Sequence, residues 1–170
     1  TEVGKLLLQY AGQSNMKKVA LECGGKTPQI FMPDLEDFDA AVDYAIGGIY
    51  DNVGQVCNAG SRLLVHRDIH EEFVKRFAER SHAAYEAGNP LNPATSLGPM
   101  VSFEHQKAVL ERIERGKTEG ANLVFGGTHP ADLSEGAYVE PALFTGVHSE
   151  MSLAQEEIFG PVASVMSFAS

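Results

Sequence analysis

The sequence predicts an α/β fold, an open and mostly parallel sheet with helices on both faces. Three observations carry that expectation. Apolar runs of strand length alternate with amphipathic helical stretches, glycine and proline clusters punctuate the joins, and no internal repeat or low-complexity tract breaks the order. With 170 residues, 44% of them hydrophobic, the chain has material for one substantial core.

The elements follow in order. From Glu2 to Tyr10 the residues Val3, Leu6, Leu7 and Tyr10 recur at spacings of three and four, which predicts a helix stopped at Gly12. Val19-Ala20-Leu21 reads as a short strand, Gly24-Gly25-Lys26-Thr27-Pro28 as a turn, and Ile30-Phe31-Met32 as a second strand closed by Pro33. Between Asp37 and Tyr50, Phe38, Ala41, Val42, Ala45, Ile46 and Ile49 define one face of a helix, which Gly54 ends. Leu63-Leu64-Val65 is strand-like, and Asp68 is placed to cap a helix carrying Ile69, Phe73, Phe77 and Ala84 on one side. Gly88-Asn89-Pro90-Leu91-Asn92-Pro93 must be a loop, because each proline lacks a donor and biases its predecessor away from helix. Ser102 then caps a helix with Phe103, Gln106, Leu110 and Ile113 in register, and Leu123-Val124-Phe125 runs as a strand into Gly126-Gly127. Tyr138 to Val147 and Pro161 to Phe168 complete the strands, the latter alternating as a half-exposed strand would.

Composition narrows the function. Thirteen basic against 23 acidic residues give a net charge of −10, the opposite of what a phosphate-tracking nucleic-acid binder carries. No apolar run reaches bilayer-spanning length, and the chain does not open on a basic segment followed by an apolar one, so neither membrane nor secretion is expected. Two cysteines are too few to staple a secreted scaffold, which makes a reducing compartment, the cytoplasm, the expected location. No two glycines stand two apart, so the dinucleotide fingerprint is absent; so are a P-loop, a C-x-x-C and a G-x-S-x-G elbow. His66 and His70 are four apart, but the expected helix start at Asp68 separates them, and no metal site is expected.

Three clusters have chemical content. Cys57 sits in the small, polar run Asn52-Val53-Gly54-Gln55-Val56-Cys57-Asn58-Ala59-Gly60-Ser61-Arg62. Small neighbours let a carbonyl approach the sulfur, and successive amides can stabilise an oxyanion; the competing reading is an inert packed thiol. Glu22 follows an apolar run and precedes two glycines, a placement that suits a general base, against the alternative of a surface or paired carboxylate. Gln155-Glu156-Glu157-Ile158-Phe159-Gly160-Pro161 offers a carboxylate able to accept from two ribose hydroxyls and a ring able to flank a flat heterocycle, or simply a solvated acidic loop.

Taken in order, Leu21-Glu22-Cys23-Gly24-Gly25-Lys26, Gly54-Gln55-Val56-Cys57-Asn58-Ala59-Gly60-Ser61-Arg62 and Glu156-Glu157-Ile158-Phe159-Gly160-Pro161-Val162 resemble the three signature segments of the NAD(P)-dependent aldehyde dehydrogenase superfamily. Thr1-Glu2-Val3-Gly4, Asn89-Pro90-Leu91 and Gly98-Pro99 are similar to further segments of that family, so the likeness runs from end to end. The resemblance implies a catalytic-domain-like fold, with residues 1–21 a helix-and-strand remnant of a cofactor-binding domain and residues 22–170 a catalytic domain truncated at its C-terminal end. It implies that the parent enzyme oxidises an aldehyde with NAD or NADP. Cys57 would be the nucleophile passing through a thiohemiacetal and a thioester, and Glu22 the base for the hydrolytic water. For cofactor binding it implies Glu157 on the nicotinamide ribose, Phe159 beside the nicotinamide, and the backbone of Cys23 near its carboxamide.

An asparagine donor and the lysine and glutamate that grip the adenosine ribose fall outside the matched segments, so the 170 residues alone are expected to turn over little or nothing. Thr27 and Val53 stand where the family more often has serine and a polar residue. The run Ser14 to Val19 is similar to members acting on amino-aldehydes. A homo-oligomer is implied as well. Two rival classes are a cysteine-dependent hydrolase and a non-catalytic scaffold whose edges, Met16 to Leu21 and Val162 to Phe168, pair with another copy.

Overall fold

The computed structural model describes residues 1–169. In chain order the elements are α1 (Glu2–Gln13), β1 (Pro28–Phe31), α2 (Phe38–Tyr50), β2 (Arg62–His66), α3 (His70–Ala84), α4 (Phe103–Thr118), β3 (Asn122–Phe125), β4 (Ala142–Thr145), α5 (Ser152–Gln155) and β5 (Val162–Phe168). The strands form one five-stranded sheet in the order β1-β2-β5-β4-β3. All neighbours are parallel except β3, which runs antiparallel to β4. The predicted open, mostly parallel sheet is therefore present.

Residue alternation divides the core into two layers. On one face Phe31, Leu63, Val65, Leu143, Ala163 and Val165 meet the apolar sides of α2 and α3, including Ile46, Ile49, Phe73 and Phe77. On the other, Ala142, Phe144 and Val162 meet Val109 and Ile113 of α4 and Leu153 of α5. Adjacent residues of β4 and β5 thus serve opposite layers, as period-two geometry requires, and helices cover both faces. Burying side chains as large as Phe73 and Phe77 is worth about 2–3 kcal/mol each. Tyr50, fully buried at the end of α2, satisfies its hydroxyl by donating to the Ala142 carbonyl at 2.9 Å. Ser102 caps α4 as expected, its Oγ accepting from the His105 amide at 3.1 Å.

Several expectations are corrected. Val19-Ala20-Leu21 is not a strand: it lies in the irregular stretch between α1 and β1, where no described segment offers its amides and carbonyls a ladder. α1 continues through Gly12, and its apolar residues face outward, Val3 67% and Tyr10 59% exposed, with only Gly4 and Ala11 buried. Asp68 does not cap α3, which starts at His70 without a side-chain cap; its carboxylate turns instead toward His66 and Arg67, 3.6 Å from each. The strand expected from Tyr138 to Val147 is limited to Ala142–Thr145 because Pro141, which has no donor, and Gly146, with φ of 65°, bracket it. β5 is not a half-exposed edge. It lies inside the sheet, hydrogen-bonded to β2 on one side and β4 on the other, and its first four residues are buried. Val162 to Phe168 therefore cannot be a free edge for a second copy.

Candidate active site

The loop carrying Cys57 is built by a sharp reversal after α2. Asn52, Val53 and Gly54 all take left-handed conformations, with φ of 50°, 60° and 67°. For a β-branched residue such as Val53 this costs on the order of 1–2 kcal/mol, so the surroundings must impose it. They do so through Gly54, where a Cβ would overlap the Gly160 carbonyl. The loop is then tied down on its far side. The Gly60 amide donates to the Gly48 carbonyl at 2.8 Å, and Gln29 Nε2 donates to the carbonyls of Gly60 at 2.8 Å and Ala45 at 3.2 Å. Cys57 projects from this loop with an exposed thiol. Among the described residues, the amides of Cys57 and Asn58 donate to no protein acceptor, which leaves two donors free beside the sulfur. Gly54→Ala is expected to destabilise the fold by at least about 3 kcal/mol in a denaturant titration, since left-handed strain and a backbone clash add. A change under about 0.5 kcal/mol would contradict this close approach.

The Glu22–Gly25 segment is exposed and irregular. α1 packs against its start: a Cβ on Gly4 would stand 3.3 Å from Leu21 Cδ1 and 3.7 Å from Cys23 Sγ. At its end, a Cβ on Gly25 would stand 2.8 Å from the Cys57 carbonyl oxygen, so glycine is what lets the two loops meet. Glu22 is three residues away from that contact, within about 10 Å of chain reach. Its carboxylate makes no hydrogen bond or ion pair among the described residues, and the hydrogen bonds of the described histidine rings go to Asp68, Phe159 and Leu133 rather than to Cys57.

The acidic pair splits its roles. Glu156 is taken by Arg115 of α4, which also lies 3.8 Å from Glu119. Glu119 in turn holds α5 by accepting from the Ser152 amide and hydroxyl at 2.7 and 2.9 Å. Glu157, half-buried, turns the other way, and its Oε1 accepts from the Gly25 amide at 3.1 Å. A Cβ on Gly24 would overlap this carboxylate, so the glycine pair forms the floor on which Glu157 rests. Phe159 follows in a left-handed conformation, φ 59°, with 36% of its surface exposed. Its carbonyl accepts from His105 Nε2 at 2.6 Å, and the two rings meet edge to face at 6.0 Å.

His105 is the site residue that sequence reasoning missed. The signal was there in the Ser102 cap, which puts His105 in the first turn of α4. Gly25, Gly54, Val56, Glu157 and Phe159 line one narrow crevice, so the three signature segments meet there, while Cys57, Glu22 and Cys23 are not among the residues that line it. A cavity of about 330 Å³ lined by His82, Tyr85, Phe125 and Glu140 lies elsewhere, between α3 and the 126–141 loop. Among the described residues no three potential metal ligands stand together.

The family model described as the aldehyde dehydrogenase family matches residues 1–170. The chain belongs to this family. Among its relatives are an aldehyde dehydrogenase of Enchytraeus buchholzi, 49% identical over 99% of this chain and 33% of its own length, and cytosolic aldehyde dehydrogenase 1 of Rattus norvegicus, 46% identical over 100% of this chain and 33% of its own. The solved indole-3-acetaldehyde dehydrogenase in complex with NAD+ superposes with a TM-score of 0.96 at 47% identity, covering 99% of this chain and 34% of that one. The chain thus spans about a third of the aldehyde dehydrogenases it matches. The family and fold that the signature segments implied are both present.

Proposed function

We propose that these residues belong to an enzyme that oxidises an aldehyde to a carboxylic acid with NAD+, and that they supply its nucleophile, its base and its grip on the nicotinamide ribose. The convergence of the Cys57 loop, the Glu22–Gly25 segment and the Glu157–Phe159 segment on one cleft is the observation that carries this reading. The NAD+ seen in the solved relative supports the choice of cofactor.

The Cys57 thiolate adds to the aldehyde carbon, and the developing alkoxide accepts from the free Cys57 amide. NAD+, when bound, supplies the hydride acceptor that carries the resulting thiohemiacetal to a thioester. Glu22 then takes a proton from a water molecule as that water attacks the thioester; the tetrahedral adduct expels the Cys57 thiolate and releases the carboxylic acid, and Glu22 passes its proton to solvent. The residues fit the cofactor. Glu157 is a carboxylate with acceptor capacity left for a ribose diol, the Gly24–Gly25 pair lets it and the Cys57 loop approach the same backbone, and Phe159 is exposed to flank a flat ring. Cys23, next to that glycine pair in sequence, is assigned the nicotinamide carboxamide through its backbone.

The same reading assigns residues 1–21 to a cofactor-binding unit and the remainder to the catalytic one, and the exposed apolar side of α1 supports further polypeptide covering it. It also carries a homo-oligomer and a cytoplasmic setting, the latter supported by the cytosolic rat relative; no helix among the described residues is long and apolar enough to cross a membrane.

The test compares the whole protein with the 170-residue chain. With aldehyde and NAD+, the whole protein is expected to accumulate NADH steadily, and the chain alone to reach less than about one per cent of that rate, since it lacks part of the electrostatic and binding machinery. No aldehyde-dependent NADH from the whole protein overturns the function; sustained turnover by the chain overturns its dependence on the rest.

A further inference from the structure

We propose that His105 is a positioning residue for Phe159: its Nε2–H fixes the Phe159 carbonyl, and with it the backbone turn that presents the phenyl ring to the nicotinamide. The proposal rests on the reading above in which Phe159 borders that ring. Phe159 sits in a left-handed conformation, φ 59°, which is costly for a residue bearing a side chain, so its surroundings must hold it there. The segment is anchored on both sides of it. Before it, Glu157 accepts from the Gly25 amide at 3.1 Å; after it, Gly160 is packed so closely that a Cβ there would stand 2.9 Å from both Val109 methyls. Between these anchors the Phe159–Gly160 peptide is held by the 2.6 Å hydrogen bond from His105, and among the described residues no other donor reaches that carbonyl.

A carbonyl oxygen can only accept, so the hydrogen lies on Nε2. The histidine and phenyl rings also meet edge to face, their centroids 6.0 Å apart, which adds a contact to the phenyl group itself. His105 is in turn well seated. Its amide donates to Ser102 Oγ at 3.1 Å, and the nearby Val101 amide donates to Gln55 Oε1 at 3.0 Å, so the start of α4 is joined to the Cys57 loop. One helical turn therefore reaches both the loop that carries the sulfur and the residue that flanks the nicotinamide. Without the hydrogen bond the 159–160 peptide is free to rotate, Phe159 relaxes toward right-handed backbone, and its ring swings away. A displacement of about 1 Å is enough to slow transfer between oriented groups by as much as about a hundredfold. Glu157 keeps its own contact with Gly25, so the grip on the ribose is spared.

Stopped-flow absorbance of the first NADH turnover on the whole protein, at saturating aldehyde and NAD+, tests this alongside calorimetric NAD+ binding. His105→Phe keeps a ring and removes the donor. Its first-turnover rate constant is expected to fall about tenfold, while NAD+ affinity stays within about threefold. His105→Gln, whose Nε2–H lies as many bonds from the backbone as the histidine's, should recover the rate constant to within about twofold of the unsubstituted protein. A purely structural role would lower the amplitude, which counts folded sites, and not the rate constant. The proposal is overturned if His105→Phe keeps the rate constant within about twofold, or if His105→Gln falls as far as His105→Phe. Should His105→Phe fail to fold, His105→Asn, too short to reach the carbonyl, takes its place with the same expected loss. Phe159→Leu separates the two levels. If it leaves both the first turnover and NAD+ affinity unchanged, the nicotinamide role of Phe159 fails; if it slows the turnover while the His105 variants match the unsubstituted protein, only the role of His105 is removed.

Discussion

Replacing Cys57 by alanine in the whole protein is expected to lower kcat for aldehyde oxidation by at least about a thousandfold, while NAD+ affinity is expected to stay within about twofold. The expected size of the loss follows from the proposed mechanism, in which the sulfur is the atom that bonds to substrate: without it no thiohemiacetal would form, and the remaining amides would have no addition to stabilise. The selectivity follows from how the loop is held. Its anchors are backbone and Gln29 contacts at Gly60, together with the reversal at Asn52–Gly54, and none of them involves the exposed thiol. Alanine leaves these in place. Steady-state rates with calorimetric NAD+ binding check both halves, and a variant that keeps more than about a tenth of parent activity shows that the sulfur is not the nucleophile.

Glu22→Gln has the second largest expected effect, a fall in steady-state turnover of about a hundred- to a thousandfold, the range for losing a general base. Its kinetic form differs from that of Cys57→Ala. Hydride leaves before the base is needed, so a single burst of NADH, close to one per active site, should survive in Glu22→Gln and vanish in Cys57→Ala. Glutamine keeps the shape of the side chain and cannot take the proton. Because the Glu22 carboxylate has no partner among the described residues, the substitution strands no buried group and stability should hold. Stopped-flow absorbance reads burst and steady state together, and normal turnover in Glu22→Gln places the base elsewhere.

Elements with strong periodicity were legible before any coordinates. α2, the Ser102 cap of α4, β2 and β3 follow from local pattern, because their apolar residues recur with the period of the element that buries them. What local pattern does not contain is tertiary placement. Val162 to Phe168 alternates like an edge strand and yet sits in the middle of the sheet, since β2 and β4 dock on either side of it. Val19 to Leu21 has strand composition but no strand paired to it among the described residues.

The site shows the same division. Cys57, Glu22, Glu157 and Phe159 stood out by residue type and setting, but the reason for the glycines around them is geometric. Gly24 makes room for the Glu157 carboxylate, Gly25 for the Cys57 carbonyl and Gly54 for Gly160, contacts between segments far apart in sequence. His105 is hidden from sequence reading for the same reason: it is an ordinary helix residue until folding sets it against Phe159.

The central claim is that Cys57 becomes covalently acylated by the oxidised substrate. Mass spectrometry after acid-quenching Glu22→Gln with aldehyde and NAD+ tests it most directly, because deacylation is slow there and trypsin, cutting after Lys26, separates Cys57 from Cys23. The predicted result is an acyl mass on the Cys57 peptide alone, formed only when NAD+ is present and in step with the NADH burst. An NADH burst with no adduct on that peptide, or with the acyl group on the Cys23 peptide, would contradict it.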